Sequence, residues 1–127
     1  MVAVRRIDHI GILVRSIDAA LGYYVSTLGL RLVHDEVRAD GVVRLAYLAA
    51  GDTVVQLVEP LRDGALAEAL SEGGEGLHHI CFEVGNLAED LSNIPGESDR
   101  PIERGGQGRS VAFLGHRPNN ALIELAE

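Results

Sequence analysis

The chain has no lysine and no tryptophan, one cysteine, four prolines and 4% aromatic residues in 127 positions. Each shortage excludes something. Without lysine, neither a Schiff base nor a lysine general base is open to it; all eleven basic residues are arginine, as codon bias in a GC-rich genome produces. With no tryptophan and 4% aromatic residues, a base-stacking surface or an aromatic cage has little material. The lone Cys81 excludes an internal disulfide and a cysteine-rich zinc site, and suits a reducing cytoplasm. No apolar run approaches the ~20 residues of a membrane span, and Arg5, Arg6 and Asp8 interrupt the start a signal peptide would need. The net charge of −8 speaks against a nucleic-acid partner, which calls for a basic surface. A phosphorylated small molecule needs only a local cluster of positive groups and stays open.

What is present is ordinary in amount, 46% hydrophobic and 24% charged, but not in arrangement. Ile7-Asp8-His9-Ile10-Gly11-Ile12-Leu13-Val14 returns seventy positions later as Leu77-His78-His79-Ile80-Cys81-Phe82-Glu83-Val84, with a histidine third in an apolar, β-branched run each time. Gln56 follows His9 by forty-seven positions and Glu124 follows His79 by forty-five, each within a late apolar run. Internal repeats fix architecture, and this one has one site assembled from two halves.

The first half reads as a strand over 6–14 and a helix from Ser16 and Asp18 to Leu28, closed by Gly29. Strands over 30–37, 42–49 and 53–58 follow, with turns at Ala39-Asp40-Gly41 and Gly51-Asp52. Pro60 to Gly76 is a linker holding a short helix over 63–70. The second half repeats the plan: a strand over 77–84, a helix over 86–93, and strands over 100–103, 110–114 and 121–126. The fold class is α+β, a single domain of two βαβββ modules (5–60 and 76–127, linker 61–75), with the candidate ligands on strands.

A single histidine on an apolar strand is usually a hydrogen-bonded core residue, and Gln56 or Glu124 alone reads as an edge residue. Four such residues at duplicated spacing nominate a metal. Two imidazoles, one carboxylate and one carboxamide suit a single divalent ion among Co, Mn, Fe, Zn and Ni. With Glu124 the only anion, the ion keeps Lewis acidity for stabilising an enolate. Strand parity selects His79 over His78. His34 and His116 lack a repeat partner and read as surface residues, and Cys81 reads as a small core residue.

These residues resemble the vicinal oxygen chelate (glyoxalase/bleomycin-resistance/dioxygenase) superfamily. Within it, Arg6–Ile12, Val55–Leu61, Gly76–Cys81 and Ala121–Leu125 are most similar to methylmalonyl-CoA epimerases. The resemblance implies a glyoxalase-like open barrel around one metal site, His9, Gln56, His79 and Glu124 as metal ligands, and a homodimer. It also implies an isomerase that epimerises an α-substituted acyl-CoA thioester such as methylmalonyl-CoA through an enolate. The sequence departs from that pattern twice. The family's Gly-Val-x-Glu, whose glutamate acts as base, reads Gly41-Val42-Val43-Arg44, and arginine cannot accept the α-proton. Glu36 and Glu124 are then the candidate catalytic bases, and Arg44 a candidate clamp for a substrate carboxylate or phosphate. The family's Phe-Leu-His-Pro with Gly-Gly becomes Phe113-Leu114-Gly115-His116-Arg117-Pro118-Asn119-Asn120, which points to a different pocket wall. The alternatives are another metalloenzyme on this scaffold, a glyoxalase-type lyase or biosynthetic isomerase, or a non-catalytic protein that binds a small molecule.

Overall fold

The structure is a computed structural model and describes residues 1–38 and 40–127. Ala39, which the sequence places in a turn, lies outside the described residues. Along the chain the elements run β1 (Val4–Leu13), α1 (Ile17–Leu21), β2 (Arg31–Val37), β3 (Val43–Ala50), β4 (Thr53–Pro60), α2 (Ala65–Gly73), β5 (Gly76–Val84), α3 (Leu87–Asn93), β6 (Glu103–Arg104), β7 (Ser110–Phe113) and β8 (Ile123–Ala126). The βαβββ order expected for each half is present. Two compact units form: Ile10–His78 is one, and Met1–His9 with His79–Glu127 is the other, so the chain passes between them within β1 and within β5.

In the unit of Ile10–His78 the strands lie in the order β2-β3-β4, with the end of β1 beside β4. The β3–β4 hairpin closes through Gly51-Asp52, pairing Ala50 with Thr53 and therefore Tyr47 with Gln56. Gly51 has φ +63, a left-handed conformation that favours glycine. Alternation along β3 gives the sheet two different faces. Ala46 and Leu48 turn toward α1 and pack with Val14, Ile17 and Leu57. Leu45 and Tyr47 turn the other way and pack with Leu13, Val58 and the α2 residues Leu66 and Leu70. Leu48 and Leu57 are fully buried, each contributing about 1.5–3 kcal/mol through removal of apolar surface from water. Ser16 caps α1, its Oγ accepting from Ala19 N at 3.1 Å. The expected single helix to Leu28 instead continues as a π-helical turn over Gly22–Thr27, and it ends at Gly29 with φ +76.

In the other unit the start of β1 leads into the order β5-β8-β7-β6. The β5–β8 pair is parallel with Cys81 opposite Glu124, and β7–β8 is antiparallel with Phe113 opposite the same Glu124. One face, built from Leu125 and Ala112, is covered by Leu87 and Leu91 of α3. Asn86 caps α3 by accepting from Glu89 N at 3.1 Å. The strand expected over 100–103 shrinks to Glu103–Arg104. Pro101 has no N–H for a ladder, while Arg100 N donates to Glu97 O and its Nε to Phe113 O. Among the described residues no helix is long and apolar enough to cross a membrane.

Candidate metal centre

The face that α3 leaves uncovered carries His9 from β1, His79 from β5 and Glu124 from β8, each under a tenth exposed. Their positions follow from the ladder. Glu124 stands opposite Cys81, and His79 is two residues from Cys81 and hence on the same side. Three atoms converge. Nε2 of His9 lies 3.0 Å from Nε2 of His79, and Oε1 of Glu124 is 3.1 Å from the first and 3.3 Å from the second. Phe113 packs edge-on against His79 with ring centroids 5.4 Å apart, forming an apolar wall.

Burial alone would raise the Glu124 pKa, but the two imidazoles outweigh it and hold the carboxylate down at about 2. Oε1 sits within 3.3 Å of both Nε2 atoms, close enough for their electrostatic pull, yet this buried oxygen has no hydrogen-bond partner. Such an atom costs about 1–3 kcal/mol unless something pairs with it. A divalent ion fits this donor set. Ligand atoms about 2.1 Å from an ion stand ~3.0 Å apart at right angles and ~3.4 Å apart at tetrahedral angles. The observed edges fall within that interval.

The partner of His9 strengthens the fit. Its Nδ1–H donates to Oδ2 of Asp8 at 2.7 Å. Because Asp8 can only accept there, the tautomer with a free Nε2 lone pair is the one selected, as in carboxylate–histidine–metal triads. Asp8 is buried, which works against its charge, yet His9 and Arg109 prevail and its pKa falls to about 2. Arg109 NH1 donates to the other Asp8 oxygen at 2.6 Å, and Arg6 NH2 donates to it at 3.1 Å. Burial likewise opposes the His9 imidazolium; Asp8 and Glu124 override it, so its pKa is raised. Asp8, His9 and Cys81 also cluster closely enough to hold an ion. That alternative is weaker, because both Asp8 oxygens are occupied and burial, with Glu124 and Asp8 nearby, drives the Cys81 thiol pKa far up.

The remaining expected residues lie in the unit of Ile10–His78. Gln56 is 5% exposed, and its Nε2 donates to Tyr47 Oη at 3.2 Å, which leaves the carboxamide oxygen as the atom suited to an ion. Glu36 accepts from His34 Nε2 at 2.7 Å, so His34 is not the isolated surface residue the sequence suggests. Arg44, expected as a substrate clamp, is turned elsewhere. Its cross-strand partner is Glu59, three residues from Gln56, so the register directs it to the α1 face and away from the face of Gln56. There its fork takes both Asp35 oxygens at 3.0 and 2.8 Å and Asp18 at 2.9 Å. His78 is only half-buried while His79 is buried, as parity requires, and His116 is exposed.

Sequence reasoning passed over Asp8 and Arg109, although an aspartate beside a proposed ligand histidine was a usable signal. It also missed Glu97. This buried carboxylate accepts from Gly115 N and His116 N at 2.8 and 3.0 Å, which keeps its pKa low and fixes the loop after β7. No local pattern announces a residue that caps a loop eighteen positions away.

Comparison with known proteins places this arrangement. An uncharacterised Bacillus subtilis protein, YqjC, is 38% identical over 96% of this chain and 91% of its own length. An ethylmalonyl-CoA/methylmalonyl-CoA epimerase of Cereibacter sphaeroides is 29% identical over 96% of this chain and 97% of its own. A solved methylmalonyl-CoA epimerase, in complex with methylmalonyl-CoA and ammonium, superposes with a TM-score of 0.86 at 34% identity, covering 98% of this chain and 94% of that one. Residues 8–113 match the model of the Glyoxalase/Bleomycin resistance protein/Dioxygenase superfamily, and the chain belongs to that family.

Proposed function

We propose that the protein is a metal-dependent epimerase of an α-substituted acyl-CoA thioester such as methylmalonyl-CoA, working through an enolate. The observation that carries this reading is the convergence of Nε2 of His9, Nε2 of His79 and the unsatisfied Oε1 of Glu124. Similarity to epimerases along nearly the whole chain supports the substrate class. His9, His79 and Glu124 would hold the ion, and the repeat spacing nominates Gln56 as the fourth ligand. When bound, a divalent ion of the Co, Mn, Fe, Zn or Ni kind supplies Lewis-acid polarisation of a carbonyl oxygen.

The chain's own residues do the rest. Asp8 fixes the His9 tautomer, Tyr47 fixes the Gln56 carboxamide, and Phe113 excludes water on one side of His79. Glu124 serves as ligand and not as base, because its inward oxygen points at the two imidazoles. Glu36 belongs to the proton-transfer machinery: its cross-strand partner is Leu45, on the face of β3 that also bears Tyr47. Two copies per assembly are part of the same reading, and light scattering that returns a monomer mass would remove that part.

One observation favours a second reading, another metalloenzyme of this family with a different substrate. On the Gln56 face β3 presents Val43, Leu45 and Tyr47, with no carboxylate. Elemental analysis of the purified protein, followed by solvent-deuterium incorporation into methylmalonyl-CoA with Co²⁺ added, separates the two. Exchange that disappears in His79→Ala supports the epimerase. Bound metal without exchange moves the assignment to the second reading.

A further inference from the structure

Removal of an α-proton requires a base, and the usual carboxylate of β3 is missing from this chain. Register decides which side chains share a face with Gln56. From β4 to β3, Gln56 stands opposite Tyr47; from β3 to β2, Tyr47 stands opposite His34 and Leu45 opposite Glu36. Paired residues in adjacent strands project to the same side. His34, Glu36, Tyr47 and Gln56 therefore form one polar row across three strands.

The row is physically connected. Glu36 accepts from His34 Nε2 at 2.7 Å, the His34 and Tyr47 rings lie 5.4 Å apart and tilted by 53°, and Gln56 Nε2 donates to Tyr47 Oη at 3.2 Å. Exposure divides it in two. Tyr47 and Gln56 are 5% exposed, whereas the side chains of His34 and Glu36 are 39% and 22% exposed. The outer pair alone is accessible to a substrate. Arg44, between Val43 and Leu45, faces α1 and is held by Asp35 and Asp18.

We propose that His34 is a catalytic residue that carries the proton on one face of the substrate α-carbon, with Glu36 as its positioning residue. The proposal rests on the epimerase reading above and deepens it. Glu36 takes the Nε2–H and leaves Nδ1 as the basic atom, the arrangement by which a carboxylate orients a general-base imidazole. In the forward step the C–H bond breaks, its electron pair enters the thioester as an enolate, and the proton passes to Nδ1. The resulting imidazolium is paired with Glu36. Inversion is completed when a second Brønsted acid of the site protonates the opposite face of the enolate carbon. In the reverse direction His34 returns the proton it holds.

The test uses the metal-loaded full chain and each methylmalonyl-CoA epimer separately in deuterated water. His34→Asn is expected to keep its metal content and to lose epimerisation by at least ~100-fold, the scale of a general base. It should still exchange the α-hydrogen of one epimer, through the second group, and no longer that of the other. Glu36→Gln, which leaves the base itself in place, is expected to lose about tenfold in kcat, below the scale of a lost general base, with KM within about twofold. Epimerisation by His34→Asn within about threefold of wild type overturns the proposal, as does equal loss of exchange from both epimers. A Glu36→Gln defect larger than that of His34→Asn also overturns it, since Glu36 would then be the base. A wild type that exchanges neither epimer overturns the epimerase reading together with this proposal, while an active wild type with an unaffected His34→Asn overturns the proposal alone.

Discussion

Replacing Asp8 by asparagine should weaken metal binding with little change in which ion is preferred. Asp8 touches no ion in the proposed centre; it acts through the 2.7 Å hydrogen bond it accepts from His9 Nδ1. Loss of the carboxylate frees His9 to adopt the tautomer with its proton on Nε2 and removes the anion that makes the imidazole a better donor. Partners of this kind are worth 10–100-fold in affinity, about 1.4–2.7 kcal/mol. The same change removes the anion paired with Arg109 at 2.6 Å and leaves Glu83, at 3.7 Å, as the nearest carboxylate, so some global stability is lost as well, on the order of 1–3 kcal/mol. Arg109→Gln separates the two effects, since it removes the ion pair but keeps the Asp8–His9 bond. Competition between the protein and a chelator for Co²⁺, read by absorbance alongside urea unfolding, should show Asp8→Asn down 10–100-fold in affinity. Arg109→Gln should stay within about threefold while losing comparable stability. Wild-type affinity in Asp8→Asn would refute the orienting role and the choice of His9 Nε2 as a ligand atom.

Two other outcomes follow from the pairs around the site. Arg44→Gln should leave KM for the acyl-CoA unchanged within about twofold and cost no more than about 1 kcal/mol in urea unfolding, because its partners Asp18 and Asp35 are 81% and 33% exposed and solvent screens both pairs. A KM raised tenfold would restore Arg44 as a substrate contact. Asp8 and Glu124 ionise at about 2 against ordinary values of 3.8 and 4.5, so their contribution to the metal-free protein is whole above pH 4.5 and drains as pH falls toward 2. His9 is moved the other way, above 6.5, so its contribution is whole below pH 6.5 and is lost as pH rises through the raised value. The Tm of metal-free protein should therefore decline as pH rises from 6.5 through the raised His9 value, and a bound ion, which takes the place of the His9 proton, should abolish that decline. A metal-free Tm that is flat or rising over this range would contradict the Asp8–His9–Glu124 electrostatics.

The repeat made the two histidine strands and the late polar residues legible, because a buried strand repeats its parity and a ligand must repeat its face. His9, His79 and Glu124 meet as the duplicated spacing requires. Arg44 shows what motif matching loses. Counting back from the Gly51-Asp52 hairpin pairs residue 50 with 53 and 47 with 56, which places Tyr47 beside Gln56 and Arg44 on the other face. The information was in the sequence, but aligning Arg44 with a remote glutamate ignored the pleat. His34 was not readable in this way. A register shift between Leu32 and His34 decides which β3 residue it meets, and that shift has no local signature. The strand expected at 100–103 failed because Pro101 and the Glu97 turn compete for the same backbone. Asp8 was visible as a residue but not as a partner, since strand parity alone sends it to the face opposite His9.

The most direct test of the central claim follows deuterium uptake at the α-carbon of methylmalonyl-CoA in three samples: chelator-stripped protein, the same protein reloaded with Co²⁺, and His79→Ala given the same ion. Exchange is expected in the reloaded wild type alone. Exchange at the wild-type rate in the stripped protein or in His79→Ala would contradict a metal centre built on His9, His79 and Glu124.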